Sequence, residues 1–266
     1  MKRPQDNTMP RQGKVWLVGA GPGDPELMTL KAVQVLQTAD VVLHDDLVNP
    51  EILRWARPGA RIVAVGKRGG CRSTPQAFIE RLLAAEARAG HRVVRLKGGD
   101  PFLFGRGGEE WGFLRAAGIA VEAVNGVSAG VAGPAGLGIP LTHRGCAQGV
   151  IFVTGHGMDG AEPRWETLAR TGLTLVVYMG VARAPAIRAG LLAGGMPAVM
   201  PVAVIQDATL PVERALRSTL GAFPEAVAAA GLGSPAVIVV GRVVALATML
   251  PQAAPAAVAN RRIGEN

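Results

Sequence analysis

Short runs of β-branched residues alternate along the chain with stretches rich in Ala and Leu, the hydrophobic pattern of an α/β fold. In the first half the pattern predicts strands at 15–18, 41–43, 61–65, 92–96 and 121–124. The second half repeats the style, with strands at 150–154, 174–179, 202–206 and 236–240. Helices are predicted over 29–38, 75–89, 109–117, 185–193, 211–220 and 223–230. Pro75 and Pro211 suit first-turn positions, and Thr74 suits an N-cap.

Between residues 126 and 149 the texture changes to Gly, Ala, Ser and Pro, and a boundary between two α/β halves is expected near its end. The reading is a loose arm at 1–13, domains at 14–146 and 147–250, and a flexible Ala/Pro-rich, then basic tail at 251–266. No repeat of about 20 to 50 residues is visible, which argues against a solenoid.

Composition narrows the classes. With 49% hydrophobic and 18% charged residues in 266, global disorder is excluded. No apolar run has the length of a membrane span, although mean hydropathy is +0.27. The polar start reads as no secretory signal, and Cys71 and Cys146 lack CxxC spacing, so a reducing cytoplasm is expected. A net charge of +8 raises nucleic acid as a partner, but Lys2, Arg3, Arg11, Lys14, Arg261 and Arg262 lie toward the two ends. Aromatics, at 4%, are too few for obvious base stacking, and a polyanionic small molecule explains a basic cleft as well. The four histidines show no metal spacing, and no required metal is expected.

Three segments carry candidate chemistry. GAGPGDP at 19–25 follows a strand, and its glycines allow a sharp turn with close backbone approach. Asp24 stands where a dinucleotide fingerprint has its third glycine, and Pro22 and Pro25 remove amide donors, so NAD fits badly. LKGGDPFLFGRGGEE at 96–110 combines close-approach glycines, Asp100, and Arg106 before Glu109 and Glu110 at a helix start. VNGVSAG at 124–130 places Ser128, a possible helix cap, at another strand exit, where α/β sheets bind ligands.

With these segments in order, the chain resembles the uroporphyrinogen-III C-methyltransferases, within the tetrapyrrole methylase family. The likeness runs over residues 14–246 and adds VGKRGG, IPLTHRG, VTGH, YMG and SPAVIVVGRVV to the three segments. It implies two α/β domains with S-adenosylmethionine in the cleft between them, release of S-adenosylhomocysteine, and a homodimer. Carried over by position, the cofactor contacts are Pro22, Gly98, Gly99, Asp100, Ser128, Ala129, Met179, Ala208 and Ala236. Met179, Ala208 and Ala236 would otherwise read as core.

The reaction implied is methylation of uroporphyrinogen III at carbons 2 and 7, giving precorrin-2 for sirohaem, cobalamin or haem d1 synthesis. Lys67, Arg68 and Arg106 are the candidates for holding this acidic tetrapyrrole, and Arg106, Glu109 and Asp45 for catalysis. Three positions depart from the family: His44 precedes Asp45 where tyrosine is usual, Ser128 replaces threonine, and Glu213 precedes Arg214 in place of glutamine. Nothing resembles the dehydrogenase/chelatase half of fused sirohaem synthases, so the chain is expected to stop at methylation. The competing readings are a methylase of a later corrinoid, an NAD-dependent oxidoreductase resting on the first glycine loop, and a basic RNA-binding protein resting on charge.

Overall fold

The computed structural model describes residues 13–66, 74–157 and 161–247, and the chain divides into two compact units, 1–129 and 130–266. The first unit is built on a five-stranded parallel sheet, ordered β3-β2-β4-β1-β5. Its strands are β1 (Lys14–Gly19), β2 (Val41–His44), β3 (Arg61–Ala64), β4 (Arg92–Lys97) and β5 (Ala120–Val124). A central parallel strand is covered on both faces, and β4 divides its side chains accordingly. Val93 joins one apolar cluster with Leu17, Leu43, Leu83 and Leu114, while Val94 and Leu96 join the other with Leu36 and Ile52.

Helices α2 (Gln76–Arg88) and α3 (Gly107–Ala116) supply the first of those clusters. On α2 the buried residues Ile79, Leu83, Ala84 and Ala87 form one helical stripe. On the other face lie α1 (Leu30–Leu36) and the 3-10 segment Pro50–Trp55. Thr29 caps α1, its hydroxyl accepting from the Ala32 amide at 3.2 Å. Thr74 does not cap α2 as expected. Pro75 takes the cap position, and the Thr74 hydroxyl donates instead to the Gly66 carbonyl at 3.4 Å.

The second unit carries a mixed sheet ordered β6-β7-β10-β8-β9. It comprises β6 (Val150–Thr154), β7 (Thr174–Tyr178), β8 (Pro201–Gln206), β9 (Arg214–Thr219) and β10 (Ala236–Val240). Only β6 and β7 run parallel; β10 is antiparallel to both β7 and β8, and β9 to β8. Helices α5 (Trp165–Ala169), α6 (Ala184–Ala193) and α7 (Phe223–Ala229) cover one face through Trp165, Ile187, Leu191, Phe223 and Val227.

Residues 214–219 form a strand, where a helix was expected over 211–220. Neighbouring side chains there pack on opposite faces, Leu216 with the helix-covered cluster and Ala215 with the other, and β8 offers an edge whose backbone groups need partners. The small-residue segment also differs from expectation. It folds into α4 (Ala129–Gly136), and Leu137, Ile139, Leu141 and Ala147 pack against Val176, Ala203 and Val239 of the second sheet. The contacts therefore divide the chain at 129/130, earlier than the boundary expected at 146/147. Helix α5 was not anticipated, being too short for a periodic signal.

Candidate functional site

Every candidate described in the first unit lies at the carboxyl edge of its parallel sheet. Asp45 follows β2, Pro22 follows β1, the segment 98–100 follows β4, and Ser128 lies beyond β5. In open parallel sheets this is the edge at which ligands bind. Backbone hydrogen bonds hold the loops together there. The amides of Gly21 and Gly99 donate to each other's carbonyls at 3.2 and 2.7 Å, and Ala20 N donates to Lys97 O at 2.7 Å.

Asp100 organises the same edge. One carboxylate oxygen accepts from Phe102 N at 2.8 Å; the other accepts from Gly126 N and Asn125 Nδ2, each at 3.2 Å. It thereby joins the β4 exit to the β5 exit. The backbones meet so closely that a Cβ on Gly126 would lie 2.2 Å from Gly99 O. Only glycine fits there.

The chemistry of these groups argues against a dinucleotide. The Gly21 and Gly99 amides are committed to one another, and Pro22 and Pro25 have none to offer. At the start of the 3-10 segment Pro25–Leu27, Asp24 Oδ1 accepts from Glu26 N at 2.8 Å. A pyrophosphate needs free amides and no carboxylate at such a position. An adenosine carrying an amino-acid tail needs neither a phosphate cradle nor a cluster of cations, and small residues with backbone groups fit it.

In the second unit the antiparallel ladders explain why three scattered candidates belong to one sheet edge. Met179 follows Tyr178, which pairs with Val237 on β10; Ala236 opens β10 and pairs with Gln206, two residues before Ala208. Met179, Asp207 and Thr209 have φ of 54°, 51° and 67°. The other non-glycine residues with positive φ among the described residues are Phe104 and Arg106, in the β4–α3 connection. Such conformations persist only where surroundings hold them, and they concentrate at functional sites. Tyr178 adds a fixed point, its hydroxyl accepting from Gly130 N at 2.8 Å near the start of α4.

Arg106 precedes the first turn of α3 and is paired with Glu109. Its Nε lies 2.9 Å from Glu109 Oε1 and its Nη2 2.6 Å from Oε2. Both side chains are more than half exposed. The Arg106 hydrogen bonds hold the Glu109 carboxyl below its ordinary range, despite partial desolvation. Glu109 is therefore a poor proton acceptor while that pair is intact. Lys67 and Arg68 lie outside the described residues.

A buried charge cluster beneath this edge was not foreseen. Arg95 and Lys97 read as a basic group in the sequence, yet both are buried in β4 with Glu110 of α3, and Asp45 joins them. Burial pushes the Lys97 ammonium below its usual value, as does Arg95, against the pull of Asp45 and Glu110. The available signal was two cations on alternate positions of a central strand, where apolar residues are the rule. His44 Nδ1 donates to its neighbour's carbonyl, Asp45 O, at 3.1 Å. Among the described residues no three His, Cys, Asp or Glu side chains converge as a metal would require, and no helix is long and apolar enough to cross a membrane.

Comparison with known proteins places these features in context. The family model for Tetrapyrrole (Corrin/Porphyrin) Methylases matches residues 14–224. A uroporphyrinogen-III C-methyltransferase of Pseudomonas aeruginosa is 60% identical over 231 residues, covering 87% of this chain and 94% of that protein. Siroheme synthase 2 of Aeromonas hydrophila is 52% identical over 88% of this chain, which spans 50% of that relative. Among solved structures, a uroporphyrin-III C-methyltransferase of Thermus thermophilus complexed with S-adenosylhomocysteine is similar with a TM-score of 0.76 and 45% identity. That match covers 87% of this chain and 93% of the other.

Proposed function

Because the chain belongs to the tetrapyrrole (corrin/porphyrin) methylases, we propose that it methylates uroporphyrinogen III at carbons 2 and 7, giving precorrin-2. The observation that carries this reading is the carboxyl edge of the first sheet. There a glycine-rich backbone suited to an adenosine with an amino-acid tail lies on the same edge as Asp45. When bound, S-adenosylmethionine supplies a methyl group already activated on a sulfonium. Pro22, Gly98, Gly99, Asp100, Ser128, Ala129, Met179, Ala208 and Ala236 are the residues assigned to hold it.

With an activated donor, the protein's task is alignment, which contributes up to about 7–11 kcal/mol in well-oriented reactions. The substrate carries eight carboxylates, and Arg106, Lys67 and Arg68 are assigned to them. In the absence of substrate Glu109 satisfies the Arg106 guanidinium, which keeps that cation in place until a substrate carboxylate competes for it. Methylation makes the ring system cationic, and Asp45 is the carboxylate assigned to stabilise it. We assign a homodimer in the cytoplasm as the working form.

Anaerobic incubation of the purified chain with uroporphyrinogen III and S-adenosylmethionine, followed by mass spectrometry, tests the reading. Two added methyl groups are expected. No methylation by a protein that binds S-adenosylhomocysteine would overturn the substrate and direct the search to later corrinoids.

A further inference from the structure

We propose that Arg95 is a positioning residue for Asp45, held in turn by the buried carboxylate of Glu110, so that β4 and α3 together set the direction of the Asp45 carboxylate. The inference rests on the reading of Asp45 as a catalytic group. Arg95 is 2% exposed, and all three of its guanidinium nitrogens are engaged. Nη2 donates to Asp45 Oδ1 at 2.5 Å, Nε to Glu110 Oε1 at 3.1 Å, and Nη1 to Leu96 O at 3.3 Å.

Glu110 is fully buried, and its Oε1 also accepts from Lys97 Nζ at 3.2 Å and Gln76 Nε2 at 3.1 Å. Lys97 Nζ lies 3.7 Å from the second oxygen of Asp45. Two cations and two carboxylates thus balance, and Asp45, with a side chain 29% exposed, is the member of the four that reaches solvent.

Stability does not account for the arrangement. Buried ion pairs rarely outperform well-packed apolar residues, and a central parallel strand is ordinarily apolar. A planar guanidinium held at three nitrogens does something an apolar side chain cannot. It fixes the plane and direction of the carboxylate at its open end. The side-chain hydrogen bonds of Glu110 all fall on Oε1, which binds both Arg95 and Lys97, while Oε2 has no hydrogen-bond partner among the described residues.

A double-mutant cycle on the full chain tests this, using Asp45→Asn, Arg95→Gln and the two combined. Methyl transfer to uroporphyrinogen III and S-adenosylhomocysteine binding would be measured on each. We expect Arg95→Gln to lower kcat by about tenfold or more in the native background and by less than about twofold in the Asp45→Asn background. Cofactor binding should change by less than about threefold in every variant. Equal loss from Arg95→Gln in both backgrounds, or parallel loss of cofactor binding, would overturn the proposal. Should Arg95→Gln fail to fold, Arg95→Lys, which keeps the buried charge and loses the fork, enters the same cycle with the same criteria. Native turnover in Asp45→Asn alone would instead overturn the catalytic reading of Asp45, and with it this inference.

Discussion

Arg106 has a φ of 58°, a left-handed conformation that costs a non-glycine residue roughly 1–2 kcal/mol. Its double hydrogen bond with Glu109 and the start of α3 hold it there. The pair is exposed, so little global stability depends on it. Arg106→Ala or Glu109→Gln should therefore reduce turnover by about tenfold or more through misplaced substrate, with S-adenosylhomocysteine affinity little changed. Steady-state kinetics beside calorimetric titration would check it, and equal loss of both quantities would sink the assignment. The residue type and its place between glycines were visible in the chain. Its pairing with Glu109 was not, since a capping carboxylate and an ion-pair partner look alike in sequence.

At the scale of elements, the two ends of the first sheet do different work. The carboxyl edge bears the glycine loops, whereas Asp40, just before β2, ties strands together at the opposite edge. Its Oδ2 accepts from Arg92 N at 2.8 Å and Nε at 3.2 Å, and its Oδ1 from Arg57 Nη2 at 2.6 Å and Arg92 Nη2 at 3.1 Å. The Arg92 hydrogen bonds hold the Asp40 carboxyl far below the usual carboxylate range, in spite of desolvation, with Arg57 assisting. A depressed folded pKa makes this contribution fully present above the unfolded value of about 3.9 and lost as pH falls below it. Asp40→Asn should cost about 1.5–3 kcal/mol at neutral pH and flatten the acid limb of stability below about pH 5, with methylation retained. Urea unfolding across pH measures both. An acid limb identical to that of the unaltered chain would refute the assignment.

For the molecule as a whole, the ligand class is the decisive property. A ligand that binds only the folded chain, present at about a hundred times its Kd, stabilises it by about 2.7 kcal/mol. S-adenosylhomocysteine should therefore raise the melting temperature by several degrees, and NAD should leave it unchanged. The opposite result would revive the dinucleotide reading against which the committed amides of Gly21 and Gly99 speak.

The α/β class, nine of the ten strands among the described residues and the three glycine-bearing segments were legible in the chain, because buried parallel strands are continuous apolar runs and close backbone approach demands glycine. What the tertiary structure alone decided was pairing. Residues 214–219 are a strand because β8 leaves an edge to be satisfied, and residues 137–147 belong to the second unit because its sheet offers an apolar face. Met179, Ala208 and Ala236 share an edge only through antiparallel register. Arg95, Lys97, Glu110 and Asp45 meet only because β2, β4 and α3 pack together. Periodicity reports which residues are buried within one element. It carries no information on which distant charges neutralise one another once buried, and that is settled by packing.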